Sequence, residues 1–191
     1  MELSLKYKSV GTGVTITAVS NRTKVSRGLY VTVVNGEFTI PAEINGKPVT
    51  CIGAFAFSTS VGLTSLTIPD SVTVIGTNAF YGCSELKSVT IGNSVRSIGD
   101  EAFSFCSGLT SITFPASVTY IGNYVFYQCT GLTKVILPYS LRSIGSNIFY
   151  GCTGLKSVTM SKAVVRLLIK NTFPPDVEVV YDIDGWWKGS E

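Results

Sequence analysis

Four of the five cysteines, Cys83, Cys106, Cys129 and Cys152, recur at intervals of 23 residues, and the chain contains no histidine. A cysteine does chemistry as its thiolate, and the usual protein base that makes one is an imidazole. Without histidine, Ser-His-Asp and Cys-His catalysis, imidazole general bases and imidazole metal sites are all excluded. Thiols repeated at one interval stack as a column whose members lie ~4.8 Å apart along a sheet. That distance is within disulfide range, but parallel Cβ vectors are poorly aimed for a bridge. Four sulfurs in a row do not make the tetrahedron zinc requires. They read instead as small buried apolar groups, and Ser60, one interval earlier, fits a packing role. Cys51 falls in a different column and is left unpaired. No P-loop, paired CxxC or nucleophile elbow occurs, and Gly11-Thr12-Gly13 lacks the third glycine of a dinucleotide motif. No catalytic residue, cofactor or metal ligand is therefore expected, and the chain reads as a binding protein rather than an enzyme.

Two groups of side chains could bind. The first is a set of hydroxyls and lysines at the outward positions of a repeated strand. These are Thr64, Ser65 and Thr67, then Lys87, Ser88 and Thr90, then Thr110, Ser111 and Thr113, then Thr133, Lys134 and Ile136, then Lys156, Ser157 and Thr159. Threonine also suits any exposed strand by β-propensity alone, so a plain solvated face is the competing reading. The second is aromatic: Tyr81, Tyr127 and Tyr150 share a column, with Ser104 between them and Phe105, Tyr120, Tyr124 and Tyr139 in the vicinity. Tyrosine anchors interfaces because it buries area and keeps a hydroxyl for a partner; the alternative is a ring that packs on the next coil.

The elements that place these residues follow from the period. Blocks of 23 residues align without gaps as Leu63 to Glu85, Leu86 to Gly108, Leu109 to Gly131 and Leu132 to Gly154, with a degenerate fifth from Leu155. Leu63, Leu66 and Ile68 alternate with polar residues, the pattern of a half-buried strand. Pro69 ends that strand, since it has no N–H for a ladder; Gly92 replaces it in one block. Val72 and Ile75 form a second inward face, and Gly76 suits a corner calling for positive φ. Ala79, Phe80 and Cys83 fit an inward-facing helical or 3₁₀ turn. No block can bury its apolar side alone, so neighbours must cover it. An earlier coil, Ile52-Gly53 and Ala56-Phe57, carries an inserted loop at Asn45-Gly46.

The block LTSLTIPDSVTVIGTNAFYGC from Leu63 to Cys83 closely resembles the BspA-like leucine-rich repeat family, in register over about residues 37 to 160. The resemblance implies an α/β-type repeat solenoid: a right-handed leucine-rich-repeat coil with a parallel β-sheet, mostly β, with short helical or 3₁₀ turns. It implies that the strand face is concave and is the usual contact surface. The candidate binding face is then Ser65, Thr67, Lys87, Ser88, Thr90, Thr110, Ser111, Thr113, Thr133 and Lys134, with Tyr81, Tyr127 and Tyr150 as an aromatic flank. The resemblance further implies an extracellular or cell-surface adhesion module for host or extracellular-matrix proteins. A structural spacer or a carbohydrate-binding module of a larger surface protein is the alternative.

Composition agrees with such a surface. Charged residues are 14% of the chain against the usual ~25%, and Ser, Thr, Asn and Gly carry the polar share. A net charge of +3 is too weak to argue for nucleic acid. Residues 1 to 10 lack the apolar stretch of a signal peptide. Residues 1–36 are expected to form an N-terminal cap, 37–160 the repeats and 161–191 a C-terminal cap and tail, all in one continuous domain. Within the last segment Leu168 and Thr172 depart from the repeat and Phe173 is placed to fill the missing ring one residue late. Lys162, Arg166 and Lys170 would make a basic stripe on a helix, but packing of its apolar face on the last coil is the simpler reading, so membrane contact is not expected. Trp186 and Trp187 are read either as folding back on the cap or as the place where a longer chain was cut.

Overall fold

A computed structural model describes residues 2–20, 29–32, 36–167, 173–174 and 176–182. The chain is a β-solenoid of stacked coils, each with three sides. One side carries three-residue strands: β4 (Glu37–Thr39), then β7 (Ser65–Thr67), β9 (Ser88–Thr90), β11 (Ser111–Thr113) and β13 (Lys134–Ile136). The last two of this series, β15 (Ser157–Ser161) and β16 (Glu178–Asp182), are longer. A second side carries two-residue strands β8 (Val74–Ile75), β10 (Ser97–Ile98), β12 (Tyr120–Ile121) and β14 (Ser143–Ile144). A third side is a run of turns.

Both strand series pair in parallel, coil upon coil, in the register the period sets. Ser65 lies beside Ser88, Ser111 beside Lys134, and Ile75 beside Ile98. The second side is continuous: β14, β12, β10 and β8 run on into β6 (Lys47–Ile52) and from there into the N-terminal strands. There β2 (Gly13–Ser20) pairs in parallel with β6, and β1 (Glu2–Val10) pairs antiparallel with β2 and with β3 (Leu29–Thr32). The first side is not continuous. Its strands form one sheet of β4, β7 and β9 and another of β11, β13, β15 and β16. Between Thr90 and Ser111 the coils are bridged by long bonds, 3.4 Å each, that the Thr110 amide and hydroxyl donate to the Lys87 carbonyl. Gly92 and Phe114 flank this seam, where the other full coils have Pro after the strand and Ile or Leu at its end.

The third side differs from the helical or 3₁₀ turn expected for it. Two residues per coil, four apart, take left-handed φ: Asn78 (+55°) and Gly82 (+69°), Glu101 (+54°) and Phe105 (+58°), Tyr124 (+54°) and Gln128 (+58°), Asn147 (+55°) and Gly151 (+77°). A helix cannot pass through such residues. The chain instead alternates. Every second amide donates to the next coil, as from Asn78 to Asp100 O (2.9 Å) and from Phe80 to Ala102 O (2.8 Å). The amides between them close tight turns within the coil, as from Tyr81 to Asn78 O (3.1 Å). This third ladder leaves few amides without partners. The one short helix among the described residues, α1 (Lys162–Val165), follows the last full coil and buries Val164. Lys170, Leu168, Thr172, Trp186 and Trp187 lie outside the described residues.

The corner glycine also has a different cause from the one expected. Gly76 and Gly99 have ordinary φ. A Cβ on Gly76 would lie 2.8 Å from the Ala54 nitrogen and from the Gly53 carbonyl carbon, so the previous coil's backbone fills the space a side chain needs. Positive φ belongs elsewhere, for example to Asn45 (+53°) and Gly46 (+72°). These two residues make the tight hairpin between β5 (Glu43–Ile44) and β6, the type-I′ geometry that Asn-Gly favours. Asn45 Nδ2 donates to the Tyr7 hydroxyl (2.7 Å), which ties that hairpin to β1.

The core is a set of columns. Phe57, Phe80, Phe103, Phe126 and Phe149 are all fully buried. Their rings stack at 5.1, 5.1, 5.9 and 6.0 Å. Phe38 meets one end of the stack at 5.7 Å. Phe173 meets the other at 5.7 Å, one residue later than the period would put it. The thiols stand beside them, and each donates to the carbonyl of the previous coil's Phe: Cys83 to Phe57 O (3.1 Å), Cys106 to Phe80 O (3.2 Å), Cys129 to Phe103 O (3.0 Å) and Cys152 to Phe126 O (2.9 Å). They are free thiols. Burial pushes Cys83 up to about 11 and Cys152 to about 12, and raises Cys106 and Cys129 as well, where neighbouring sulfurs add to the effect of burial. The thiolate, the reactive form, is thus suppressed. Iodoacetamide at pH 8 is expected to modify at most the half-buried Cys51 in the folded protein and all five cysteines in denaturant. Adducts counted by intact mass check this, and modification of the column before unfolding would contradict it.

Candidate functional site

The strand side brings the predicted hydroxyls and lysines together. Lys87, Ser88, Thr90, Thr110, Ser111, Thr113, Thr133 and Lys134 are exposed, while Ser65 and Thr67 are half-buried. Pairing arranges them in columns. Glu37, Ser65 and Ser88 continue, beyond the seam, as Ser111, Lys134, Ser157 and Glu178. Alongside run Thr39, Thr67 and Thr90, then Thr113, Ile136, Thr159 and Val180. Strand alternation forces the arrangement: Leu66, Val89, Ile112, Val135 and Val158 point into the core, so their neighbours must point out.

Some of these hydroxyls are already engaged. Ser88 Oγ donates to Ser65 Oγ (3.1 Å), and Thr133 Oγ1 turns back to the Thr110 carbonyl (3.0 Å). Thr90, Ser111 and Thr113 make no side-chain hydrogen bond among the described residues, and neither Lys87, Lys134 nor Lys156 has an ion pair among them. The face can therefore offer hydroxyl donors and acceptors with scattered positive charge. Carboxylates stand in its columns only at the two ends, Glu37 and Glu178.

The aromatic flank lies on the turn side and is more continuous than the tyrosine column alone. Ser104, in the tyrosine column, is fully buried and donates to the Tyr124 carbonyl (2.7 Å). The next residue fills the gap. The Phe105 ring sits 5.3 Å from Tyr81 and 5.2 Å from Tyr127, edge-on to both. Tyr127 stacks on Tyr150 at 5.6 Å and meets Tyr124 at 5.8 Å. The sequence placed Phe105 and Tyr124 nearby but gave no sign that Phe105 takes the missing ring's place. Tyr120 belongs to β12 on the second side, and Tyr139 is exposed after Pro138; neither makes a ring contact with the ladder among the described residues. No group of three or more Cys, Asp or Glu among the described residues could hold a metal.

The pattern of the BspA type leucine-rich repeat region matches residues 50–173 in six copies. The crystal structure of a leucine-rich repeat protein from T. pallidum is similar, with a TM-score of 0.73 and 28% identity over 93% of this chain and 83% of that one. A leucine-rich cell surface protein from Faecalibacterium prausnitzii has a TM-score of 0.68 and 30% identity over 93% of this chain and 49% of that one. The pneumococcal vaccine antigen PcpA has a TM-score of 0.56 and 28% identity over 84% of this chain and 48% of its own. This chain thus spans about half the length of the latter two. Comparison with curated proteins found no match.

Proposed function

The chain belongs to the BspA-type leucine-rich repeat family, and from that premise we propose that it is a cell-surface or secreted adhesion module whose strand side contacts a protein of the host or extracellular matrix. The observation that carries this reading is the two register-aligned panels of exposed or half-buried Ser, Thr and Lys, Ser65 to Thr90 and Ser111 to Lys134, on one side of the coil. Hydroxyls held on short paired strands cannot reorganise much on binding, so a partner meets a preset array at low ordering cost. Lysines without ion pairs among the described residues favour an acidic contact patch on that partner. The likeness to a surface protein and to a bacterial antigen supports display outside the cell. Catalysis has no part in this reading.

The purified chain, immobilised and exposed to matrix and serum proteins, is expected to capture a specific protein. A variant with Ser65, Ser88 and Ser111 all changed to Glu should lose that capture while keeping the wild-type circular dichroism spectrum. Three carboxylates in the field reverse its charge, and each like-charge juxtaposition with an acidic patch opposes binding. A variant that keeps full capture of the identified partner would take the contact off this face.

A further inference from the structure

The three sides of the coil differ in charge. The turn side, residues 53–62, 76–85, 99–108, 122–131 and 145–154, contains Glu85, Asp100 and Glu101 and no Lys or Arg. Each carboxylate is held by uncharged donors: Glu85 by the Gly62 amide (3.0 Å), Asp100 by the Asn123 amide (2.7 Å) and Glu101 by Asn78 Nδ2 (3.5 Å). Their charge is therefore not neutralised by a described residue. The same side carries the ring ladder Tyr81, Phe105, Tyr127 and Tyr150, of which Phe105 is 39% exposed and Tyr150 50% exposed. Tyr124, 40% exposed, packs on it from the column Glu101 occupies one coil earlier.

Phe105 is the informative residue. It holds φ +58°, a region that a bulky side chain rarely enters. The same column has Thr59, Gly82, Gln128 and Gly151 in the other coils, all at left-handed φ, so Phe105 is its one aromatic residue. Glycine would satisfy the backbone there at no steric cost, yet an exposed aromatic ring is kept in the one coil where the tyrosine column is interrupted.

We propose that the turn side is a second docking surface, separate from the strand face, and that it takes an arginine-rich segment of a partner protein. Aromatic faces attract cations through the ring quadrupole, and guanidinium planes stack on rings while donating to carboxylates. Glu101, one coil before Tyr124 in the same column, supplies a carboxylate on the side that carries the rings, and the side has no cation to repel the ligand. A neutral glycan would use the rings but gain nothing from the charge. Nucleic acid is opposed by that charge.

The test is binding of a fluorescein-labelled oligo-arginine peptide, read by anisotropy at low and at physiological salt. The protein's net charge of +3 gives no general attraction for such a peptide, so binding must be local. Phe105→Gly, the residue that two other coils carry at this position as Gly82 and Gly151, is the variant that keeps the fold, with a thermal midpoint near wild type. Phe105→Gly and Tyr127→Leu are each expected to weaken binding about fivefold or more. Glu101→Gln should weaken binding and reduce its salt dependence. The triple Glu variant of the strand face should bind the peptide at least as well as wild type, so failure of one face leaves the other standing. No binding by wild type, or binding that Phe105→Gly and Tyr127→Leu leave unchanged, overturns the proposal. Capture of a neutral cello-oligosaccharide in place of the peptide, lost in Phe105→Gly, overturns it in favour of a glycan site.

Discussion

Phe126→Ala is expected to cost about 3–5 kcal/mol of stability, the largest loss from any single side-chain truncation in the coil. Phe126 is fully buried and meets three rings: Phe103 at 5.9 Å, Phe149 at 6.0 Å and Phe114 at 6.0 Å. Its backbone amide donates to Ile148 O (2.9 Å), so the chain around it is fixed on the turn side and cannot close over a void. In a solenoid each coil contacts only its neighbours, so a hole in the middle also weakens the coupling between the two halves. Urea denaturation followed by circular dichroism should show a lower midpoint and a broader transition. A loss below about 1 kcal/mol would mean that the coils relax into the space, contrary to a close-packed ring column.

Gly99→Ala should be nearly as damaging, at about 3 kcal/mol or more, although a methyl group is all it adds. The added Cβ would lie 2.6 Å from the Thr77 nitrogen and 2.8 Å from the Gly76 carbonyl carbon, both backbone atoms of the previous coil. Neither can rotate away. The coils would have to separate at this corner, which stretches the bond from the Gly99 amide to Ile75 O (2.8 Å). Gly46→Ala is the control. It has φ +72° but nothing within 4 Å of the new methyl, so only the backbone preference is lost, about 1 kcal/mol. Equal costs at the two sites, measured by thermal melts, would show that conformation rather than contact selects the corner glycine.

The difference between those glycines is not legible in the sequence. The period, the strand alternation and the inward columns of Leu, Ile, Phe and Cys were legible because burial acts on residue type at fixed spacing. Whether a glycine serves φ or closeness was not, since both select the same residue. The turn side was misread for a related reason. Ala79, Phe80 and Cys83 have spacings that fit one helical face, but the turn that buries them alternates left-handed residues. Asn78 and Gly82, like Asn147 and Gly151, are residues that accept such φ; Glu101, Phe105, Tyr124 and Gln128 occupy the same columns and hide the rule. The candidate strand face was legible as a set of outward positions. Its division between Thr90 and Ser111 was not, because backbone pairing between coils leaves no mark on side-chain type.

That division has a mechanical meaning. One side of the coil is hydrogen-bonded without interruption from the N-terminal strands to β14, while the opposite strand series is bridged at one place by only two long bonds, 3.4 Å each, from Thr110 to the Lys87 carbonyl. The turn-side ladder also crosses this joint, from the Glu101 amide to Asn123 O (2.8 Å) and from the Phe105 amide to Tyr127 O (2.7 Å), so the body is stiff along two of its sides and compliant across the third, like pages sewn along a spine. Tension along the axis would part the pages at the loosely bonded joint before it peeled the spine, so the two panels of hydroxyls could fan to the curvature of whatever pulls on them while the coils themselves stay wound.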